Sequence, residues 1–128
     1  MSTLRVNNIT DTSGGSSSLS VPGAAKAWVN FNGTGTVAIR AQMNVSSITD
    51  NGTGDYTVNF TVAMIDANYD VNLANQTNPA NGPDAPSIHY ARTPNALSAP
   101  TTSSFRVSIM NIAGSPVDRD YVCCTIFR

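Results

Sequence analysis

Helix-forming residues are scarce in this chain of 128 residues. Glutamate is absent, so all eight acidic residues are aspartates, and Lys26 is the only lysine. Leucine occurs only four times. Because unbranched side chains such as Glu, Lys and Leu favour helices, their scarcity argues against a mostly helical fold. The length is that of one domain, which excludes an enzyme with a separate cofactor domain.

Charge and long apolar runs are also lacking. Charged residues make up 12% of the chain and the net charge is −1, so we expect no nucleic-acid partner, because phosphates attract basic surfaces. No apolar run approaches the ~18 residues that a membrane helix needs. Residues 1–12 lack the apolar segment of a signal peptide. We therefore expect synthesis in the cytoplasm and no membrane insertion.

The only two cysteines, Cys123 and Cys124, are adjacent. Neighbouring residues of a strand point to opposite faces, so a disulfide between them would be strained. We predict two reduced thiols, at least one of them packed as a small hydrophobic group. The spacing is not that of a zinc site, and we predict no metal and no cofactor.

Asparagine, serine and threonine are abundant, with fourteen residues of each type. Threonine favours strands, whereas asparagine and serine favour turns. Alternating apolar segments recur about every 8–12 residues, which predicts an all-β fold, an antiparallel β-sandwich of about seven or eight strands. Trp28 and Tyr56 both lie on alternating strands and are predicted to be core residues. We place strands at 27–31, 36–41, 45–48, 56–62, 69–73, 87–91, 105–109 and 121–127, with one helical turn at 63–67.

The tetrapeptide Asn-Gly-Thr-Gly occurs twice, at 32–35 and 51–54. Asn-Gly readily takes the positive φ angles of tight hairpin turns, so each copy predicts a hairpin. Asp50 and Asp55 flank the second copy, where aspartates commonly cap backbone amides. Five of the seven prolines fall within 75–101. We therefore predict a long loop there, and a loop of this length is usually functional or an interaction surface.

The N-terminal residues 1–25 differ from the rest, because a short alternating segment is followed by a Gly/Ser-rich linker. We predict two parts, an N-terminal attachment arm at 1–25 and a β-sandwich head domain at 26–128. A slack linker keeps such an arm from burying its apolar residues against its own domain. We therefore expect Leu4, Val6 and Ile9 to anchor the chain to another protein.

The last predicted strand is apolar on both faces. Such a strand is either central in its sheet or part of an interface. We predict that one of its faces, Tyr121, Cys123 and Phe127, forms an oligomer interface.

No catalytic motif is present. His89 is the only histidine, and no Gly-x-Ser-x-Gly motif marks a nucleophile. Asp66, Asn68 and Asp70 have the spacing that opens a calcium loop, but Val71 replaces its glycine and no Glu closes it. We predict that the protein is not an enzyme, and we favour the absence of a metal with calcium as the alternative.

Exposed aromatic residues suggest a possible ligand site. Tyr69 and Tyr90, which we expect to be exposed, and His89 could stack on or bind a sugar ring. These three are the possible ligand-binding residues.

Several segments resemble bacteriophage tail-fibre and virion decoration proteins, especially those of phages of marine bacteria and cyanobacteria. The resemblance lies in the runs Ala27–Arg40 and Asn44–Phe60, the stretch Asp66–Tyr69 and the closing Tyr121–Arg128. The opening 2–15 is similar to the start of many such fibre proteins. The match covers most of the chain outside 75–101.

The resemblance implies a virion structural protein that is displayed on the particle surface and is homotrimeric. Such fibres have a long shaft, but here only the linker separates arm from head. We therefore expect a small capsid decoration (cement) protein or fibre head, held on a capsid or tail protein by its arm. The alternative is the receptor-binding knob of a short tail fibre or a lectin-like carbohydrate-binding module, with a host-surface glycan as its ligand.

Overall fold

The computed structural model describes residues 24–76, 87–90 and 96–128. Within these ranges the chain forms strands and no helix, so no helix there is long and apolar enough to cross a membrane. The strands are β1 (Ala25–Asn32), β2 (Ala38–Met43), β3 (Val45–Gly52), β4 (Asp55–Phe60), β5 (Asp70–Asn75), β6 (Ser87–Tyr90), β7 (Ser104–Met110) and β8 (Val122–Phe127).

The strands form two four-stranded sheets that pack face to face. Sheet A has the order β2-β1-β8-β5, and sheet B has the order β3-β4-β7-β6. Every neighbouring pair is antiparallel. The predicted all-β antiparallel sandwich is therefore confirmed. The central strands are β1 and β8 in sheet A and β4 and β7 in sheet B.

The core lies between the sheets and follows the two-residue period of the strands. Central strands supply most of it, because their inward side chains are covered on all sides. Phe31 and Tyr56 meet edge to face across the sheets, with ring centroids 5.2 Å apart. The other fully buried large side chains are Val29, Val45, Val58, Phe105, Val107, Ile109, Val122, Cys124 and Ile126.

The two ends of the sandwich differ. The turn end carries the β1–β2 loop (33–37), the β3–β4 turn and the segment 111–121. Gly33 donates its N–H to the Arg119 carbonyl at 2.8 Å, and Gly54 donates to Asp118 Oδ1 at 2.7 Å. These bonds tie the three loops together. At the opposite end, the terminus end, β1 begins and β8 ends.

Tyr56 supports the turn end from inside the core. Its hydroxyl lies 2.8 Å from the Gly33 carbonyl oxygen and 2.6 Å from Asp118 Oδ1. Burial, together with the nearby Asp118 carboxylate, raises the pKa of this phenol. A side chain at position 33 would meet the Tyr56 hydroxyl at 2.7 Å, so only glycine fits there without displacing the ring.

Two local predictions are wrong. Trp28 is 37% exposed, because its neighbours Ala27 and Val29 point into the core and strand alternation directs Trp28 outward. Residues 63–67 form bends and no helical turn. There the Met64 N–H bonds the distant Thr102 carbonyl and the Asn68 N–H bonds Asp66 Oδ1.

The first Asn-Gly-Thr-Gly segment joins an antiparallel hairpin of β1 and β2, as predicted, but its turn does not have the predicted geometry. In the β1–β2 loop only Gly35 has a positive φ, of 60°. The loop is shaped instead by the Asn32 side chain, which accepts the Thr34 N–H at 3.1 Å and donates to the Thr34 and Thr36 carbonyls. A side chain that substitutes for backbone bonds removes the need for a tight two-residue turn.

Strand β3 continues beyond the predicted 45–48 and reaches Gly52, because it pairs with β4 along the whole hairpin. Strand β6 lies where a short strand was predicted within 75–101 and pairs with β7. The arm residues Leu4, Val6 and Ile9 lie outside the described residues.

Candidate functional site: the outer face of sheet A

The solvent-facing side of sheet A, which we call outer face A, is built from uncharged side chains. Strand register aligns them in two rows that cross all four strands. The first row is Met43, Trp28, Thr125 and Asn72, and the second row is Ala41, Asn30, Cys123 and Ala74. Each row runs from β2 through β1 and β8 to β5, so four distant segments of sequence meet on one surface.

Large apolar groups in this region are accessible to solvent. Trp28 is 37% exposed and Met43 is 39% exposed, and they are register partners on neighbouring strands. Phe127 continues the same side of β8 toward the terminus end and is half-buried. Apolar side chains in a strand are usually turned inward, so a cluster on the outside indicates contact with another surface.

Among the described residues, charged side chains lie only at the ends of outer face A. At the turn end, the guanidinium carbon of Arg40 lies 4.1 Å from the centre of the Tyr121 ring, and Arg40 also donates to the Asp120 carbonyl. Lys26 and Asp70 lie near the terminus end. An uncharged centre with a charged rim is typical of protein interfaces.

One buried polar atom on this face lacks a partner. The Asn30 Oδ1 atom is inaccessible to solvent and has no hydrogen-bond partner among the described residues. Leaving such an oxygen unpaired costs about 1–3 kcal/mol.

The predicted interface residues Tyr121, Cys123 and Phe127 all lie on the outer side of sheet A. The last strand is central, between β1 and β5, which is one of the two positions predicted for it. Both thiols are free. Cys124 is buried in the core, where desolvation raises the pKa of its thiol, whereas Cys123 is half-buried on the outer side.

The outer side of sheet B is different, because its polar groups bond one another. Asn59 donates to Ser47 Oγ at 3.1 Å and to Thr49 Oγ1 at 3.0 Å. The Arg106 guanidinium donates two hydrogen bonds to the Asp55 carboxylate, at 2.7 and 2.8 Å, and this carboxylate raises the pKa of the guanidinium. Asp55 therefore forms an ion pair and is not the predicted amide cap, which is supplied by Asp50 Oδ1 at 2.9 Å from the Gly52 N–H.

An Asp–Ser–His row crosses sheet B, where register places Ser108 between Asp55 and His89. The row is not a catalytic relay. Ser108 is fully buried and its Oγ has no partner among the described residues. His89 Nε2 bonds Ser87 Oγ at 2.9 Å. In a catalytic triad the histidine lies between the other two groups, and here it does not.

The possible ligand-binding tyrosines belong to an internal aromatic cluster. Tyr69 is 5% exposed, so its expected exposure is wrong. Its ring packs against Phe60 and Phe105, at 5.6 and 6.1 Å between centroids. Its hydroxyl lies 2.9 Å from the Thr101 carbonyl oxygen, and burial raises the pKa of this phenol. Tyr90 is half-buried, and its ring contacts Phe105 at 5.7 Å between centroids.

Asp66, one of the possible calcium ligands, is engaged by protein groups. Both oxygens of the Asp66 carboxylate accept bonds from the Arg128 guanidinium. This guanidinium, with the Asn68 N–H, lowers the pKa of the Asp66 carboxyl. In the ranges 24–76, 87–90 and 96–128, no three His, Cys or acidic side chains are grouped to hold a metal ion.

The chain matches no family model, no curated protein and no solved structure. Outer face A is the candidate site that the geometry indicates. The predicted interface residues Tyr121, Cys123 and Phe127 lie on its side of the sheet, whereas Trp28, Met43 and Asn30 were not predicted to belong to it. The available signal was strand parity, since an inward Val29 requires its neighbours Trp28 and Asn30 to point outward.

Proposed function

We propose that the protein is a structural component of a phage virion, a capsid decoration protein or fibre head, that associates with copies of itself through outer face A. The arm at 1–25, with Leu4, Val6 and Ile9, attaches the assembly to a capsid or tail protein. The observation that carries self-association is the uncharged double row around Trp28 and Cys123 on two central strands. The virion role rests on the sequence resemblance.

The size of outer face A favours weak self-association. Four strands about 4.8 Å apart and about 20 Å long present on the order of 400 Å². A stable interface buries about 800 Å² on each partner. Outer face A therefore supplies about half of a stable interface, so assembly depends on concentration or on attachment to the particle. A homotrimer would direct three such faces toward one axis.

Sedimentation equilibrium over a range of concentrations tests self-association. The wild type is expected to form oligomers as concentration rises. Thr125→Asp places a charge in the middle of the first row and should give a monomer. Thr57→Asp is the matched control, because it changes a threonine of a central strand on the outer side of sheet B, opposite Arg106. A wild type that stays monomeric at high concentration, or equal behaviour of both variants, contradicts the proposal.

Attachment to the particle is tested separately. The full chain and a chain lacking residues 1–22 are mixed with purified phage particles that lack the protein, and co-sedimentation is measured. The full chain should sediment with the particles, whereas the truncated chain should remain in solution and keep the same thermal unfolding. Attachment of the truncated chain would reject the role of the arm, and failure of the full chain to bind would reject the virion role.

A carbohydrate-binding module is a second candidate, favoured by the exposed Trp28 on outer face A. Thr125 and Asn72 extend the same row and offer a hydroxyl and an amide for sugar hydroxyls. Aromatic rings with polar neighbours commonly hold sugars. A glycan array with wild type and Trp28→Ala separates this candidate from the first. Binding that disappears in the variant supports it, and the absence of binding by the wild type contradicts it.

A further inference from the structure

The two Asn-Gly-Thr-Gly segments are identical in sequence and opposite in environment. Asn32-Gly33 lies at the turn end in contact with the core, whereas Asn51-Gly52 lies on the exposed tip of the β3–β4 hairpin. Asparagine followed by glycine is the pair most open to attack by the backbone nitrogen on the side-chain amide, since glycine has no side chain to hinder the approach. The two sites share these four residues, so their different surroundings in the fold should separate their rates.

Both polar atoms of the Asn32 side chain are hydrogen-bonded. Its Nδ2 donates to the Thr34 and Thr36 carbonyls at 2.7 and 3.2 Å, and its Oδ1 accepts from both Thr34 N and Thr34 Oγ1. The N–H of Gly33 is bonded to the Arg119 carbonyl at 2.8 Å. Attack at Asn32 would break these bonds together and shift Gly33, which is packed against Tyr56.

Asn51 is far less constrained. Both Asn51 and Gly52 are exposed, and the β3–β4 register shifts between Asp50 and Gly52, so Asn51 is the bulged residue without a register partner. Its amide makes one side-chain bond, from Nδ2 to Thr57 Oγ1 at 2.9 Å. The space beside the Gly52 Cα is open. The attacking N–H of Gly52 is already bonded to the Asp50 carboxylate at 2.9 Å.

We propose that Asn51 is a site of spontaneous deamidation in the folded protein and that Asn32 is protected from it. In this reaction the Gly52 nitrogen bonds to Asn51 Cγ, the Cγ–Nδ2 bond breaks, and ammonia leaves. The proton of the Gly52 N–H passes to the Asp50 carboxylate and from there to the departing nitrogen. Water then opens the cyclic imide and leaves aspartate or isoaspartate at position 51.

The product changes the hairpin tip chemically. Each event replaces a neutral amide with a carboxylate beside Asp50, at the end of the sandwich where Asp118 also lies. The isoaspartate product adds a methylene group to the main chain of the bulge. The fraction of molecules modified at position 51 therefore increases with the time since folding. This position lies away from outer face A.

The test is site-resolved mass spectrometry of the full chain during incubation in ¹⁸O-labelled water at mildly alkaline pH. Fragmentation distinguishes new acids at 32 and 51 from those at the third Asn-Gly pair, Asn81-Gly82, which lies outside the described residues. In the native protein Asn51 should convert at least about tenfold faster than Asn32, since local opening limits the protected site. In urea the ratio of the two rates should fall, because unfolding removes the bonds that protect Asn32.

Two variants sharpen the result. Asn51→Gln should remove the native signal at 51 without raising the rate at Asn32. Asp50→Ser keeps an acceptor for the Gly52 N–H but removes the carboxylate, and it should slow conversion of Asn51. Equal native rates at Asn32 and Asn51, or an Asn51 that reacts only in urea, would overturn the proposal. An unchanged rate in Asp50→Ser would reject the role given to that carboxylate.

Discussion

Asn44 at the β2–β3 corner provides the most informative stability prediction. It is the only described non-glycine residue with a positive φ, of 56°. Its Oδ1 accepts the Val62 N–H at 2.8 Å, and its Nδ2 donates to the Val62 and Lys26 carbonyls at 3.1 and 3.2 Å. One side chain therefore joins the corner to β1 of sheet A and to the segment after β4.

The expected cost of a substitution has two parts. The three side-chain bonds are partly exposed, so their loss should cost about 1–2 kcal/mol in total. The left-handed backbone adds about 1–2 kcal/mol for an ordinary L-residue, but glycine takes it freely. Asn44→Gly should thus lower the free energy of unfolding by about 1–2 kcal/mol, and Asn44→Ala by about 2–4 kcal/mol.

Urea unfolding followed by far-UV circular dichroism measures both variants at one pH. Asn44→Asp is a useful third variant, because it tolerates the backbone and keeps the acceptor for Val62 while losing the Nδ2 donors. It should fall between wild type and Asn44→Ala. If Asn44→Ala is as stable as Asn44→Gly, the positive φ does not contribute and the reasoning is refuted.

Three further predictions concern Tyr56, the two cysteines and the glycines of the β1–β2 loop. The free energy of unfolding should fall above pH 10.0, the ordinary phenol pKa, because the raised pKa of Tyr56 keeps it protonated in the folded state while the unfolded chain ionises. In urea titrations at alkaline pH, Tyr56→Phe should reduce this loss by about 1.4 kcal/mol per pH unit. An unchanged slope of unfolding free energy against pH contradicts the prediction. A maleimide should label Cys123 in the native protein and Cys124 only after unfolding, and native labelling that survives Cys123→Ser would count against this assignment. In urea unfolding, Gly33→Ala should lower the free energy of unfolding by about 2–3 kcal/mol, since its Cβ would lie 2.7 Å from the Tyr56 hydroxyl. Gly35→Ala, which has open space but a positive φ, should lower it by about 1 kcal/mol. A larger loss in Gly35→Ala than in Gly33→Ala would contradict the packing argument.

Strand positions were predictable where alternation was clean. In β4, Tyr56, Val58 and Phe60 point inward as their spacing indicates, and β8 is apolar on both sides and central. Prediction was wrong where the sequence left open which alternate residues of a strand face the core, because this depends on the strands that pair with it. Trp28 is predicted to be core because it lies on an alternating strand, but Ala27, Val29 and Phe31 fill the inward positions of that strand.

Tyr69 shows the opposite difficulty. It lies next to a polar segment, so its surroundings in sequence favour exposure. Its burial depends on Phe60 and Phe105, which belong to the other sheet and contact it only after the sandwich forms. Contacts between segments so far apart leave no local pattern in the sequence.

The sequence by itself determined the all-β class, the positions of most strands and the low charge of the surface. These properties are local, because side-chain alternation and turn chemistry act over a few neighbouring residues. Only the tertiary structure decided that residues 28, 43, 72 and 125 form one row and that the identical Asn32 and Asn51 pairs differ in protection. Both outcomes depend on strand register and loop packing between distant segments, which cooperative folding sets and no short stretch of sequence encodes.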